Sequence, residues 1–138
     1  MNDVAKQVPT GGVTPHLTIG DGKASDAIAF YATAFGAEER GRMIADDGKR
    51  LMHAHILVNG SSVMLNDDFP EYSGGPISPP ASVTLHLQVD DVDAWWARAI
   101  AAGAVIRFPL DNQFWGDRYG QITDPFGHVW SIGAPIPE

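Results

Sequence analysis

The chain has 138 residues, 44% of them hydrophobic, a formal net charge of −8 and no cysteine. That length suits one ordinary domain burying roughly two thirds of its unfolded surface, and the missing thiols exclude disulfides, thiolate metal sites and a cysteine nucleophile. The nine Lys and Arg residues are scattered, which argues against a nucleic-acid partner, and no apolar run nears the ~20 residues of a membrane span.

Residues 1–12 read as a flexible N-terminal arm. They lack the apolar core of a signal peptide, so a cytoplasmic location is expected. A single domain then fills 13–138, built as module 13–66, linker 67–82 and module 83–138. The division comes from an internal repeat. Val13, Thr14, His16, Leu17 and Asp21 lie 70 residues before Val83, Thr84, His86, Leu87 and Asp91. Past a small insertion the offset becomes 67, and DAIAFYATAFGA (26–37) falls over DAWWARAIAAGA (93–104).

Each half predicts a strand, a helix and three further strands. The first strands, around His16 and His86, alternate with period two. Ser25 and Asp90 or Asp91 are the expected helix N-caps, and Gly36 and Gly103 the stops. Strands follow near 38–45, 50–58 and 62–66, joined by Asp47-Gly48 and Asn59-Gly60, dipeptides that favour tight hairpins. The Pro- and Gly-rich stretch 67–82 is the linker. The second half repeats the plan near 105–109, 118–123 and 128–133, with Asp124-Pro125-Phe126-Gly127 as its last turn.

Alternation also assigns faces. Val83, Leu85, Leu87 and Val89 should meet a helix, as should Leu17 and Ile19, leaving His16 and His86 on the other side. Met52, Ala54, Ile56 and Val58 make a second helix-facing set, opposite Leu51, His53, His55 and Leu57. With the 67-residue offset, Arg118 shares parity with Leu51, His53 and His55 and is expected to face inward with them. Arg can grip a carboxylate or phosphonate through its planar fork, or else pair with Asp117 to hold the loop, and Trp115 offers a rigid aromatic contact. Trp95, Trp96 and Trp130 read as core or dimer-interface aromatics, and His128 as an exposed turn residue. No serine sits in a nucleophile motif and no phosphate loop is present.

Two tandem βαβββ modules, with MHAHILVNGSSVML and FWGDRYGQITDPFGHVWSI as local matches, resemble the PhnB-like branch of the vicinal oxygen chelate superfamily. That superfamily includes glyoxalase I, extradiol dioxygenases and bleomycin-resistance proteins. The resemblance covers Val13 to Gly133. It implies an α+β fold of curved, antiparallel-rich sheets around a cup-shaped cavity, with helices outside, and a homodimer. It also implies that the first-strand metal ligands match His16 and His86. The last-strand ligand of the second module, normally Glu in a DPxGxxxE pattern, is Ser131, and Met64 stands at the equivalent point of the first.

A hard divalent ion needs carboxylate charge to replace its lost hydration. No cofactor is therefore expected, and His16 and His86 read as vestiges of a divalent metal site. The pocket candidates are His16, His53, His55, Met64, His86, Trp115, Arg118 and Ser131. The favoured function is binding of a small organic molecule in the cup, as in drug sequestration. The alternative is a glyoxalase- or lyase/isomerase-like enzyme using pocket histidines, with or without a divalent metal.

Overall fold

The computed structural model describes residues 8–137, so most of the expected arm lies outside the described residues. In chain order the elements are β1 (His16–Ile19), α1 (Ala24–Phe35), β2 (Glu38–Ile44), β3 (Leu51–Val58), β4 (Ser61–Asp67), α2 (Pro70–Ser73), β5 (Thr84–Gln88), α3 (Val92–Ala102), β6 (Val105–Asn112), β7 (Asp117–Thr123) and β8 (Val129–Pro135). The chain divides into two compact units. One runs to Ala32 and resumes over Gly36–Ser78, and the other takes Thr33–Phe35 and the chain from Pro79 onward.

The two sheets have the same plan. Their strand orders are β1-β4-β3-β2 and β5-β8-β7-β6. In each, the first strand runs parallel to the last and the other neighbours are antiparallel. Neither sheet closes on itself. The chain is thus an α+β protein of two tandem βαβββ modules, as its repeat predicts.

Helix α1 forms because Ala24, Ala27, Ile28, Tyr31, Ala34 and Phe35, spaced three and four apart, share one stripe, and all are buried. Gly36, at φ 67°, ends it in the left-handed conformation. The expected cap at Ser25 is not the observed one: the helix begins two residues earlier, after Lys23, which makes no side-chain cap. The carboxylate of Asp67, at the end of β4, accepts the Ala24 N–H at 2.8 Å instead, and takes the Leu51 N–H at 2.7 Å with its other oxygen. Helix α3 is capped locally, Asp91 accepting from the Ala94 N–H at 3.1 Å.

Two departures from the expected strand faces matter for the site. In β3, Met52 is 57% exposed and Leu51 fully buried. Strand β2 pairs Met43 with His53 and Ile44 with Leu51, so Met52 is left over as a bulge and the face changes there. The second departure lies in the last hairpin. Strands β3 and β4 are joined by Asn59-Gly60 alone, Val58 pairing with Ser61, whereas β7 and β8 are joined by the five residues 124–128, Thr123 pairing with Val129. Counted from Met64 and Ser131, His55 therefore corresponds to Gln121, an offset of 66 rather than 67. A slip of one residue turns every side chain of a strand to its other face.

Candidate functional site

Each sheet carries one cross-strand row of polar or soft side chains on the face away from its apolar core. In the first, His16 is in register with Met64, and Met64 with His55. In the second, His86 is in register with Ser131, and Ser131 with Gln121. The neighbouring rows, Leu17 with Leu65 and Leu85 with Trp130, belong to the opposite faces. The repeat thus places the first-strand histidine beside the last-strand residue in both modules, as expected.

The second row is the more elaborate. His86 Nδ1 lies 2.7 Å from Ser131 Oγ, and Nε2 lies 2.8 Å from Gln88 Oε1. An amide oxygen only accepts, so Nε2–H donates to Gln88, and in the neutral ring Nδ1 accepts a hydrogen bond from the Ser131 hydroxyl. Ser131 is sealed, at 1% exposure, while His86 is exposed. The ring of Tyr119 stacks on His86 at 5.9 Å and 21°. Gly133 makes this approach possible, since a Cβ there would stand 3.2 Å from His86 Cε1 and 3.3 Å from Tyr119 Cδ2.

Phe108 and Trp115 meet Tyr119 edge-on at 6.3 and 5.6 Å. Its hydroxyl accepts from Gln121 Nε2 at 2.9 Å. The Trp115 indole N–H is fixed on Asp117 Oδ2 at 3.0 Å. The result is an aromatic wall with a few oriented polar atoms, the usual composition of an organic-ligand surface.

Arg118 does not join this wall. It occupies the other face of β7, where its guanidinium donates to both oxygens of Asp93 at 2.9–3.2 Å and to Asn112 Oδ1 at 3.2 Å. That hydrogen bond from Arg118 holds the Asp93 carboxyl below the usual carboxylate range. The second hairpin holds nine residues between Gln121 and Ser131 against eight between His55 and Met64, and that one-residue difference explains the reversal: Tyr119 and Gln121, rather than Arg118, correspond to His53 and His55. The partner in the arginine's ion pair is Asp93 and not the expected Asp117.

In the first unit His55 is 5% exposed, with Nε2 2.8 Å from Ser62 Oγ. His53 and Met64 are half-buried and His16 is exposed. His128 is half-buried rather than an exposed turn residue, with its Nε2 enclosed and unpartnered.

The pattern of alternating residues brings out the histidines and puts Gln88 beside His86, but Tyr119, Gln121 and Phe108 escape it. The detectable signal for the first two was the length of DPFGH against the bare Asn-Gly turn.

As metal donors the rows are poor. One offers two imidazoles and a thioether, and the other an imidazole already bonded at both nitrogens, a hydroxyl and an amide. Neither includes a carboxylate. Among the described residues no group of three or more His, Asp or Glu side chains converges on one point. These donors do not fit a hard divalent ion.

Comparison with known proteins places this geometry. The protein Rv0887c of Mycobacterium tuberculosis (strain ATCC 25618 / H37Rv) is 50% identical over 131 residues, which is 91% of this chain and 75% of that protein. The crystal structure of PA1353 from Pseudomonas aeruginosa superposes with a TM-score of 0.74 at 25% identity, covering 91% of this chain and 98% of that one. The PhnB protein from Bacillus cereus, at 21% identity, shares the fold with a TM-score of 0.68 over 90% of this chain and 99% of that one. Residues 14–132 match the Glyoxalase/Bleomycin resistance protein/Dioxygenase superfamily, the vicinal oxygen chelate proteins, and the chain belongs to it.

Proposed function

We propose that the protein binds a small organic molecule against the histidine-bearing faces of its sheets and releases it unchanged, as a sequestering protein of the bleomycin-resistance kind. The observation that carries this reading is the Tyr119–His86 stack with Trp115 and Phe108 beside it. It offers a flat partner and fixed hydrogen-bonding atoms, and the row His86–Ser131–Gln121 beside it holds no carboxylate. His16, His53 and Met64 belong to the same binding surfaces, with His55 and Ser131 buried beneath them, and no metal is needed.

A thermal-shift screen against hydrophobic antibiotics and thiol adducts of α-keto aldehydes tests it, because a ligand of the native state raises Tm. A hit should lose its shift in Tyr119→Ala and His86→Ala. Shifts that persist in both variants overturn the assignment, as does a stoichiometric metal in elemental analysis of the purified protein.

One observation favours a second reading, a glyoxalase- or lyase/isomerase-type enzyme. His86 is clamped by Ser131 and Gln88 beside an open aromatic surface, and imidazole is the commonest proton carrier in such reactions. Turnover of any screened compound, lost in His86→Ala with the fold intact, would select it.

The protein is further proposed to be a cytoplasmic homodimer without a nucleic-acid or membrane partner. Among the described residues no helix is long and apolar enough to cross a membrane. The outer strands expose Met43, Ile44, Val105, Ile106 and Phe108, apolar edges that a second copy would cover. Sedimentation should give twice the chain mass.

A further inference from the structure

The first unit contains a groove of about 560 Å³ that involves none of the histidines. Its floor includes Met52, turned outward by the β3 bulge, and Asn66, two residues beyond Met64 on the same face. Its aromatic side is Phe69 and Tyr72, on and beside α2, with ring centroids 6.3 Å apart. Met52 and Tyr72 are 57% and 86% exposed, which is unusual for large apolar groups on one small surface.

The remaining wall is charged. Asp46 and Asp47 stand on it, and Arg50 is the one cation among the lining residues. Arg50 is not available to an anion. Its Nε donates to Asp47 Oδ2 at 2.6 Å, and its two terminal nitrogens grip both oxygens of Glu71 at 2.9 and 2.6 Å. Its planar group already lies 4.3 Å from the Phe69 ring centre.

Within the lining two carboxylates, Asp46 and Asp47, stand with one guanidinium, leaving one formal negative charge, and Glu71, which also binds Arg50, lies outside it. Lys49, at the hairpin tip, is outside the lining. Asp46 is exposed and takes no part in the Arg50 bonds. An apolar, aromatic groove with surplus acid attracts a positive charge carried on an apolar body, through Coulomb attraction and the negative faces of the rings.

We infer that this groove is a binding site for a hydrophobic organic cation, such as a quaternary or protonated amine with aromatic substituents. The cation sits by Asp46 with the Tyr72 ring over it, and the apolar body lies on Met52 and Phe69. The inference uses none of the histidines; Asn66 shares the face of Met64, but the groove is tested separately from the Tyr119–His86 surface of the second sheet.

Tetraphenylphosphonium and tetraphenylborate, matched in size and opposite in charge, form the test pair. In an NMR titration of the full chain the phosphonium should shift Met52, Asn66 and Tyr72, and bind at least about tenfold more tightly than the borate. That preference should shrink as ionic strength rises toward ~0.5 M, where exposed charges are screened within a few ångströms. Asp46→Asn should weaken phosphonium binding about fivefold, the effect of one unit charge at a partly exposed site. Tyr72→Ala should weaken it by a similar factor or more. Both side chains are exposed, so the fold should survive, and the amide spectrum checks that. Tyr119→Ala should leave phosphonium binding unchanged. Equal affinity for the borate, shifts centred on His86 and Tyr119, or insensitivity to Asp46→Asn and Tyr72→Ala together would overturn the proposal.

Discussion

In each module a buried aspartate gathers at least two polar hydrogens, Asp67 in the first and Asp124 in the second, and they do so at different points of the repeat. Asp67, 1% exposed, ties the end of β4 to the start of β3 and the first turn of α1. Asp124, 4% exposed, ties its own hairpin, accepting the N–H groups of Phe126 and His128 and the Trp130 indole N–H at 2.9–3.0 Å. The first module therefore borrows a distant carboxylate to start its helix, while the second starts α3 from Asp91 next door. A repeated chain keeps its strand order through periodic apolar residues, whereas the buried polar ties are free to settle wherever amides need partners.

The comparison can be broken most forcefully at Asp67. Asp67→Ala leaves two buried amides unpaired, each costing ~1–3 kcal/mol, so urea unfolding should show a loss of about 3 kcal/mol. A loss under ~1 kcal/mol would mean that the α1 start does not depend on it. Next comes Gly120, on the helix face of β7, where a Cβ would lie 2.6 Å from the Trp96 ring and 2.8 Å from Leu110 Cα. Gly120→Ala should cost about 2 kcal/mol, since the backbone atom cannot retreat. Asp91→Ala removes a local, exposed cap and should cost about 1 kcal/mol in the same assay, which sharpens the contrast with Asp67.

The smallest effect is electrostatic. The hydrogen bond from Arg50, then those from the Lys49 and Arg50 amides, lower the Asp47 carboxyl from 3.8 to about 2. A depressed carboxylate stabilises the fold above its unfolded value and loses that contribution as pH falls through its folded one. Any effect of this pair on Tm should therefore appear only between about pH 4 and pH 2, and be slight, because the group is fully exposed. In an NMR titration Arg50→Met should return Asp47 and Glu71 toward ordinary values. An unmoved Asp47 would show that its own turn, not Arg50, sets the shift.

The candidate site was legible in the sequence as far as the last hairpin. His16 with Met64 and His86 with Ser131 follow from the repeat, because parallel pairing of first and last strands preserves the offset. Arg118 and Tyr119 exchanged roles because the last hairpin holds one more residue between its register partners than its counterpart does, which reverses β7. The place of Met52 was hidden likewise, since a bulge leaves the composition of a strand unchanged. The Asp67 contacts left no local signal, as its partners are 43 and 16 residues away.

Taken alone, the order of residues determined the modules, the helix stops at Gly36 and Gly103, the buried stripe of α1 and the family, because these depend on spacing along the chain. Which side chains meet over the second sheet, which carboxylate starts α1 and where Arg118 spends its charge were decided only in three dimensions. Those outcomes depend on register and on distant backbone amides in need of partners, and a single inserted residue is enough to reassign them.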